Sequence, residues 1–119
     1  IAMLGLAFKP NTDDIREAKS LVIAKDIASR GGKVRGYDPV AMDNVAALGT
    51  QIELAENAYA CADGADAILL VTEWNEFKQL DFAKLGSLMK NKVLFDGRRI
   101  YSKEILGKLG FEVFTIGAA

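Results

Sequence analysis

The sequence predicts an α/β fold, a doubly wound and mainly parallel Rossmann-like sheet with helices on both faces. Three observations lead there. Short apolar runs stopped by Gly or Asp-Pro recur along the chain. Segments with helical apolar spacing stand between them. Each strand–helix pair takes about 30 residues or less, the rhythm of βαβ units, whose right-handed crossovers place helices on both sides of a sheet.

The elements follow in order. Ile1–Leu6 is short, apolar and carries Gly5, which suits a buried strand. The loop Ala7–Asp13 comes next. Asp14, three residues before Glu17, reads as a capping box that starts a helix, along which Ala18, Leu21, Val22 and Ala28 recur at helical spacing. Gly31-Gly32 ends it, because glycine takes the left-handed C-terminal conformation at little cost. Lys33–Tyr37 is a second strand broken by Asp38-Pro39. Ala41–Leu48 is a short helix closed by Gly49, Gln51–Leu54 a short strand and Ala55–Ala62 an alanine-rich helix. Ala67–Val71 ("AILLV") is a central strand, apolar on both faces, with "TEWNEF" as the loop at its carboxyl end. Asp81–Met89 is helical, Lys92–Phe95 is a strand ended by "DGRR", Ser102–Leu109 is a helix capped by Ser102, and Phe111–Ile116 is the last strand.

Composition bounds the function. Half of the 119 residues are hydrophobic, enough for one core. With no linker, repeat or low-complexity tract, one domain is the simplest organisation. A net charge of −1 argues against nucleic-acid or membrane surfaces driven by bulk charge. No apolar stretch is long enough to cross a bilayer, and no signal-peptide pattern is present. Cys61 is the only cysteine, so no intrachain disulfide can form, which fits a cytoplasmic setting. The absence of histidine excludes histidine-dependent triads and Cys/His zinc sites within this chain, and no metal site is expected. Ile1 falls inside a strand, so the chain reads as a piece of something longer.

Ligands of doubly wound sheets bind beyond the carboxyl ends of the strands. The loops to inspect are therefore 7–13, 38–39, 72–77 and 96–101. Lys9 can bring a mobile charge to a phosphate, or stand solvated beside a proline turn. Phe8 defaults to core, with stacking on a base or sugar as the alternative. Asp13, Asp14 and Glu17 read as capping and surface pairing. Arg16 lies in the first helical turn, where a cation opposes the helix dipole, so neighbouring aspartates or an anionic ligand must account for it. Arg98 and Arg99 emerge after Gly97, where arginine can hold a phosphate bidentately. Asp38 occupies the place of a ribose-binding acid, yet the glycine fingerprint that would support this role is missing, and an aspartate-stabilised turn is the other reading. Trp74 and Phe77 are assigned to core or a subunit contact, and Cys61 to packing.

"GLAFKPNTDDIRE", "YDP", "TEW" and "FDGRR", in this order, resemble the C-terminal domain of the UDP-glucose/GDP-mannose dehydrogenase family, with the UDP-glucose-oxidising branch nearest. The first motif is long and specific, while "YDP" and "TEW" are weak alone. The resemblance implies that residues 1–117 form a nucleotide-sugar (UDP)-binding domain with 118–119 as a tail. The NAD-binding and central domains of the polypeptide would lie upstream. It further implies NAD-dependent oxidation of a sugar C6 alcohol to a carboxylate, as in UDP-glucose to UDP-glucuronate. GDP-mannose or UDP-N-acetylmannosamine are alternative substrates, and a homo-oligomer is the expected assembly. Phe8, Lys9 and Arg98 match positions that contact the sugar nucleotide, and Arg16 matches an arginine that reaches toward NAD. Arg99 stands where members vary and receives no role. The family's catalytic cysteine, lysine and asparagine lie upstream, so no catalytic residue is assigned here and the isolated chain is expected to be inactive. Lys19 replaces a common proline, a departure expected to change packing at the helix start. A non-catalytic interaction or dimerisation module is the reading from another class, and an NAD-binding half-domain a third.

Overall fold

A computed structural model describes residues 1–6, 19–47, 52–98 and 100–115. Six strands, β1 (Ala2–Leu4), β2 (Arg35–Tyr37), β3 (Glu53–Leu54), β4 (Ile68–Leu70), β5 (Val93–Asp96) and β6 (Glu112–Thr115), form one sheet in the order β3-β2-β1-β4-β5-β6. Every pairing is parallel. All six strands anticipated from the sequence are present, each within its anticipated range save that β5 runs one residue further, to Asp96.

Among the described residues, six helices connect them: α1 (Lys19–Ser29), α2 (Met42–Ala47), α3 (Ala58–Ala62), α4 (Asn75–Lys78), α5 (Phe82–Leu88) and α6 (Lys103–Lys108). The strand order reverses between β1 and β4. Right-handed crossovers therefore put α1 and α2 on one face and α3 to α6 on the other. In agreement, α3 packs on β1, β2 and α5. The central strands carry the core, with Met3, Leu4, Ile68, Leu70 and Leu94 fully buried and Phe77 and Leu85 joining them from the helical layer.

Local chemistry sets the helix ends. Asn57, Asp81 and Ser102 each adopt an extended backbone and accept a hydrogen bond from the amide three residues on, at 2.7, 3.1 and 3.3 Å. At the end of α1, Gly31 has φ +86°, and the Gly31 and Gly32 amides bond back to Ala28 O and Ile27 O.

Three expectations need correction. The helix expected from Ala55 begins at Ala58, because the Ala55 amide donates to Gly36 O at 2.9 Å and so belongs to the sheet ladder. The "TEWNEF" loop contains the short helix α4, nucleated where the Phe77 amide donates to Trp74 O at 3.0 Å. Val22 is 71% exposed rather than part of the core face. The buried side of α1 runs through Ser20, Ala24 and Ile27, and Val22 projects away from that side. The proposed cap at Asp14 and Glu17 lies outside the described residues.

Candidate functional site at the carboxyl ends of the strands

The register sets the strand ends level: Leu4 pairs with Tyr37 and with Leu70, Leu70 with Asp96, and Asp96 with Thr115. The segments leaving these ends therefore meet along one edge. All of the buried polar side chains among the described residues serve that edge: Ser20, Asp38, Thr72 and Asp96. A polar group without water must find partners inside the protein, so these four mark where loop geometry is fixed by hydrogen bonds.

Asp38 does the most. Its Oδ2 accepts from the Leu6 amide at 2.8 Å and from the Trp74 indole N–H at 3.0 Å. Its Oδ1 accepts from the Val40 and Ala41 amides at 2.9 and 2.8 Å. One carboxylate thus ties the exits of β1, β2 and β4 together. Of the two readings open for Asp38, the structure supports the turn-building one. A carboxylate that is fully buried and held by four protein donors does not fit a ribose hydroxyl. Ser20 adds a second tie, donating to Leu6 O at 2.7 Å.

Among the described residues, the segment 72–77 touches the exits of β1, β2 and β5. Gly5 has φ +94° and lies so close to Thr72 that a Cβ on it would stand 2.5 Å from Thr72 Cβ and 2.6 Å from its backbone nitrogen. The Tyr37 hydroxyl donates to the Glu76 carboxylate at 3.0 Å, and the Tyr101 hydroxyl donates to Phe77 O at 2.9 Å. Burial, with help from the Glu76 hydrogen bond, pushes the Tyr37 phenol from 10 up to about 12. Trp74 and Phe77 are core residues, as expected, at 8% and 0% exposure.

Arg98 sits beside this segment. Asp96 is buried, and its oxygens accept from the Arg98 amide at 3.0 Å and the Tyr101 amide at 2.9 Å, which shapes the turn after β5. Gly97 lets that turn hug β4: its amide donates to Leu70 O at 3.1 Å, and a Cβ there would lie 2.7 Å from the same oxygen. The Arg98 Nε then donates to Val71 O at 2.8 Å and stands 2.9 Å from Glu73 Oε2. The Arg98 side chain is about two-fifths exposed, and its terminal nitrogens carry no hydrogen bond among the described residues. A planar cation held along one edge, with its terminal nitrogens uncommitted among the described residues, can bind a phosphate bidentately.

Of the other site residues named from sequence, Phe8, Lys9 and Arg16 lie outside the described residues, as does Arg99. Cys61 is 1% exposed in α3 against β1 and β2, its thiol directed toward Arg35 O at 3.2 Å. Burial raises that thiol from 9 to about 12, which suits packing and not nucleophilic chemistry. A cleft at the opposite, amino-terminal edge involves Ile1, Lys33, Arg35 and Asp66. Its arginine is already committed, since Arg35 Nη1 caps the end of α3 at Ala60 O and Asp63 O, 3.1 and 2.9 Å away. Sequence reading set the loops carrying Asp38, Glu73 and Asp96 at this edge but missed the bracing roles of Glu73 and Asp96, which depend on contacts between those loops and have no local pattern.

Known proteins resemble this chain in sequence and fold. The family described as "UDP-glucose/GDP-mannose dehydrogenase family, UDP binding domain" matches residues 2–103. The UDP-glucose 6-dehydrogenase of Rhizobium meliloti (strain 1021) is 44% identical over 117 residues, covering 98% of this chain and 27% of that protein. UDP-glucose 6-dehydrogenase TuaD of Bacillus subtilis (strain 168) is 40% identical over 118 residues, covering 98% and 26%. Among solved structures, a UDP-D-ManNAc dehydrogenase from Pyrococcus horikoshii superposes with TM-score 0.79 at 32% identity, covering 98% of this chain and 25% of that one. A UDP-glucose dehydrogenase from Pyrobaculum islandicum superposes with TM-score 0.74 at 32% identity, covering 97% and 24%. The chain thus spans about a quarter of the length of the relatives it matches. With a parallel sheet that reverses between β1 and β4, an arginine held at the carboxyl edge and a family match over most of its length, the chain belongs to the UDP-glucose/GDP-mannose dehydrogenase family, as its UDP-binding domain.

Proposed function

We propose that residues 1–117 form the UDP-sugar-binding domain of an NAD-dependent dehydrogenase that oxidises the sugar C6 alcohol to a carboxylate, converting UDP-glucose to UDP-glucuronate. The observation that carries this reading is Arg98, braced at Nε by Val71 O and facing solvent at the carboxyl edge. In this reading its terminal nitrogens grip the diphosphate, while Lys9 adds a second cation and Phe8 packs on the nucleotide sugar. Such a site needs little catalytic chemistry of its own. It fixes one end of the substrate, so that reacting groups elsewhere in the polypeptide meet the C6 carbon in register.

The main NAD site does not fit this domain, because Asp38 is buried and fully engaged by protein donors. We therefore place the cofactor on an NAD-binding domain of the same polypeptide, with Arg16 reaching toward it. That polypeptide would be a cytoplasmic homo-oligomer. UDP-N-acetylmannosamine is the second candidate substrate, favoured by the fold similarity to the Pyrococcus horikoshii enzyme.

The test is Arg98→Ala in the full-length dehydrogenase. Loss of a charge-assisted phosphate contact costs about 1.5–3 kcal/mol, so KM for the nucleotide sugar should rise about 10- to 100-fold. Unchanged KM and kcat would remove Arg98 from the site.

A further inference from the structure

We infer that Glu73 is a positioning residue for nucleotide-sugar binding: its carboxylate holds the Arg98 guanidinium in the orientation that presents the terminal nitrogens to the diphosphate. The inference rests on the assignment of Arg98 to the substrate site.

Three observations support it. Glu73 Oε2 stands 2.9 Å from Arg98 Nε, yet the single Nε hydrogen is directed to Val71 O at 2.8 Å. The carboxylate therefore acts by charge and not by a hydrogen bond. Oε2 is also shut off from solvent and accepts no hydrogen bond among the described residues, so Arg98 is the partner that compensates its burial. Finally, the residues on either side of Glu73 are held in place. Thr72 before it is wedged against Gly5, and Trp74 after it is anchored to Asp38 at 3.0 Å. The arginine is held between the Val71 carbonyl and a carboxylate that rises from an anchored segment. Five donors on a planar frame lose rotamer freedom when they bind an anion, and an arginine immobilised beforehand has already lost it.

The alternative role for a carboxylate near a diphosphate is repulsion, and it has the opposite sign. If Glu73 acted mainly by its field on the substrate, neutralising it would tighten binding. If it acts by orienting Arg98, neutralising it weakens binding.

The experiment is a double-mutant cycle in the full-length enzyme with Glu73→Gln, Arg98→Ala and the pair, reading KM and kcat separately, with urea midpoints to confirm folding. Glu73→Gln preserves shape, so the fold should be retained. Immobilising one long side chain corresponds to about a threefold to tenfold effect, so KM should rise by that amount with kcat within about twofold. The double variant should be no worse than Arg98→Ala. A KM that is unchanged or lower in Glu73→Gln, while Arg98→Ala raises it, would overturn the positioning role alone. Multiplying effects in the double variant would do the same. If Arg98→Ala leaves KM unchanged, the assignment of Arg98 fails, and the role of Glu73 falls with it.

Discussion

At the scale of single residues, burial decides what each polar group can do. Asp38 stands where a dinucleotide-binding acid would, yet four donors consume its lone pairs, so position alone misleads. Arg98 is the reverse case, a cation whose amide and Nε are engaged while its fork stays open. Cys61 shows the same logic in its titration. Burial lifts its thiol from 9 to about 12, so the folded protein keeps a proton that the unfolded chain releases near pH 9. The stability that this proton provides is complete below pH 9 and is lost as pH rises from 9 toward 12. Tyr37, lifted from 10 to about 12, and Tyr101, raised further by burial and the nearby Asp96 charge, act in the same direction above pH 10. Urea midpoints should therefore hold steady from neutral pH to about 9 and fall beyond it, and Cys61→Ala should flatten the first part of that fall. In native protein the thiol should not react with an aromatic disulfide reagent, and it should react fully in urea. Rapid native labelling would show that the thiol is not packed as described.

At the scale of elements, the chain reads well where one residue type has one physical use. Gly31-Gly32, Asp81 and Ser102 all stand at helix ends, and Ala67, Ile68 and Leu70 of "AILLV" are buried at the sheet centre. It reads poorly where the partner is far away in sequence. Ala55 looks helical until Gly36 O claims its amide, and Val22 is apolar yet faces water. "YDP" and "TEW", weak as isolated strings, are halves of one contact: Asp38 accepts from the Trp74 indole, and two residues further on Glu76 accepts from the Tyr37 hydroxyl. The glycines make the difference testable. Gly5 and Gly31 both have positive φ, but only Gly5 is crowded, by Thr72 backbone and side chain, whereas nothing lies within 4 Å of a Cβ on Gly31. Gly31→Ala should cost about 1–2 kcal/mol for the backbone alone. Gly5→Ala should add overpacking, for a total of about 2–5 kcal/mol. Equal losses in urea unfolding would show that the close approach of β1 to the segment after β4 is wrong.

At the scale of the whole molecule, the sheet order turns a scattered set of motifs into one edge. The alternation of strands and helices was legible because buried parallel strands and their crossovers leave a strong apolar rhythm. Where a ligand would sit followed from the same rule, since the reversal between β1 and β4 opens the carboxyl ends. The bracing of that edge was not legible, because carboxylates meeting across 30 or more residues leave no local pattern; Asp38 to Trp74 spans 36. On the proposed function, the carboxyl edge, organised by segment 72–77 and presenting Arg98, receives a uridine diphosphate. The most direct measurement is an amide chemical-shift titration of the protein with UDP. Shifts should concentrate at Leu6, Glu73, Gly97, Arg98 and Tyr101, and should be lost in Arg98→Ala. Shifts at Ile1, Lys33 and Asp66 on the opposite edge, with the carboxyl edge unmoved, would contradict it.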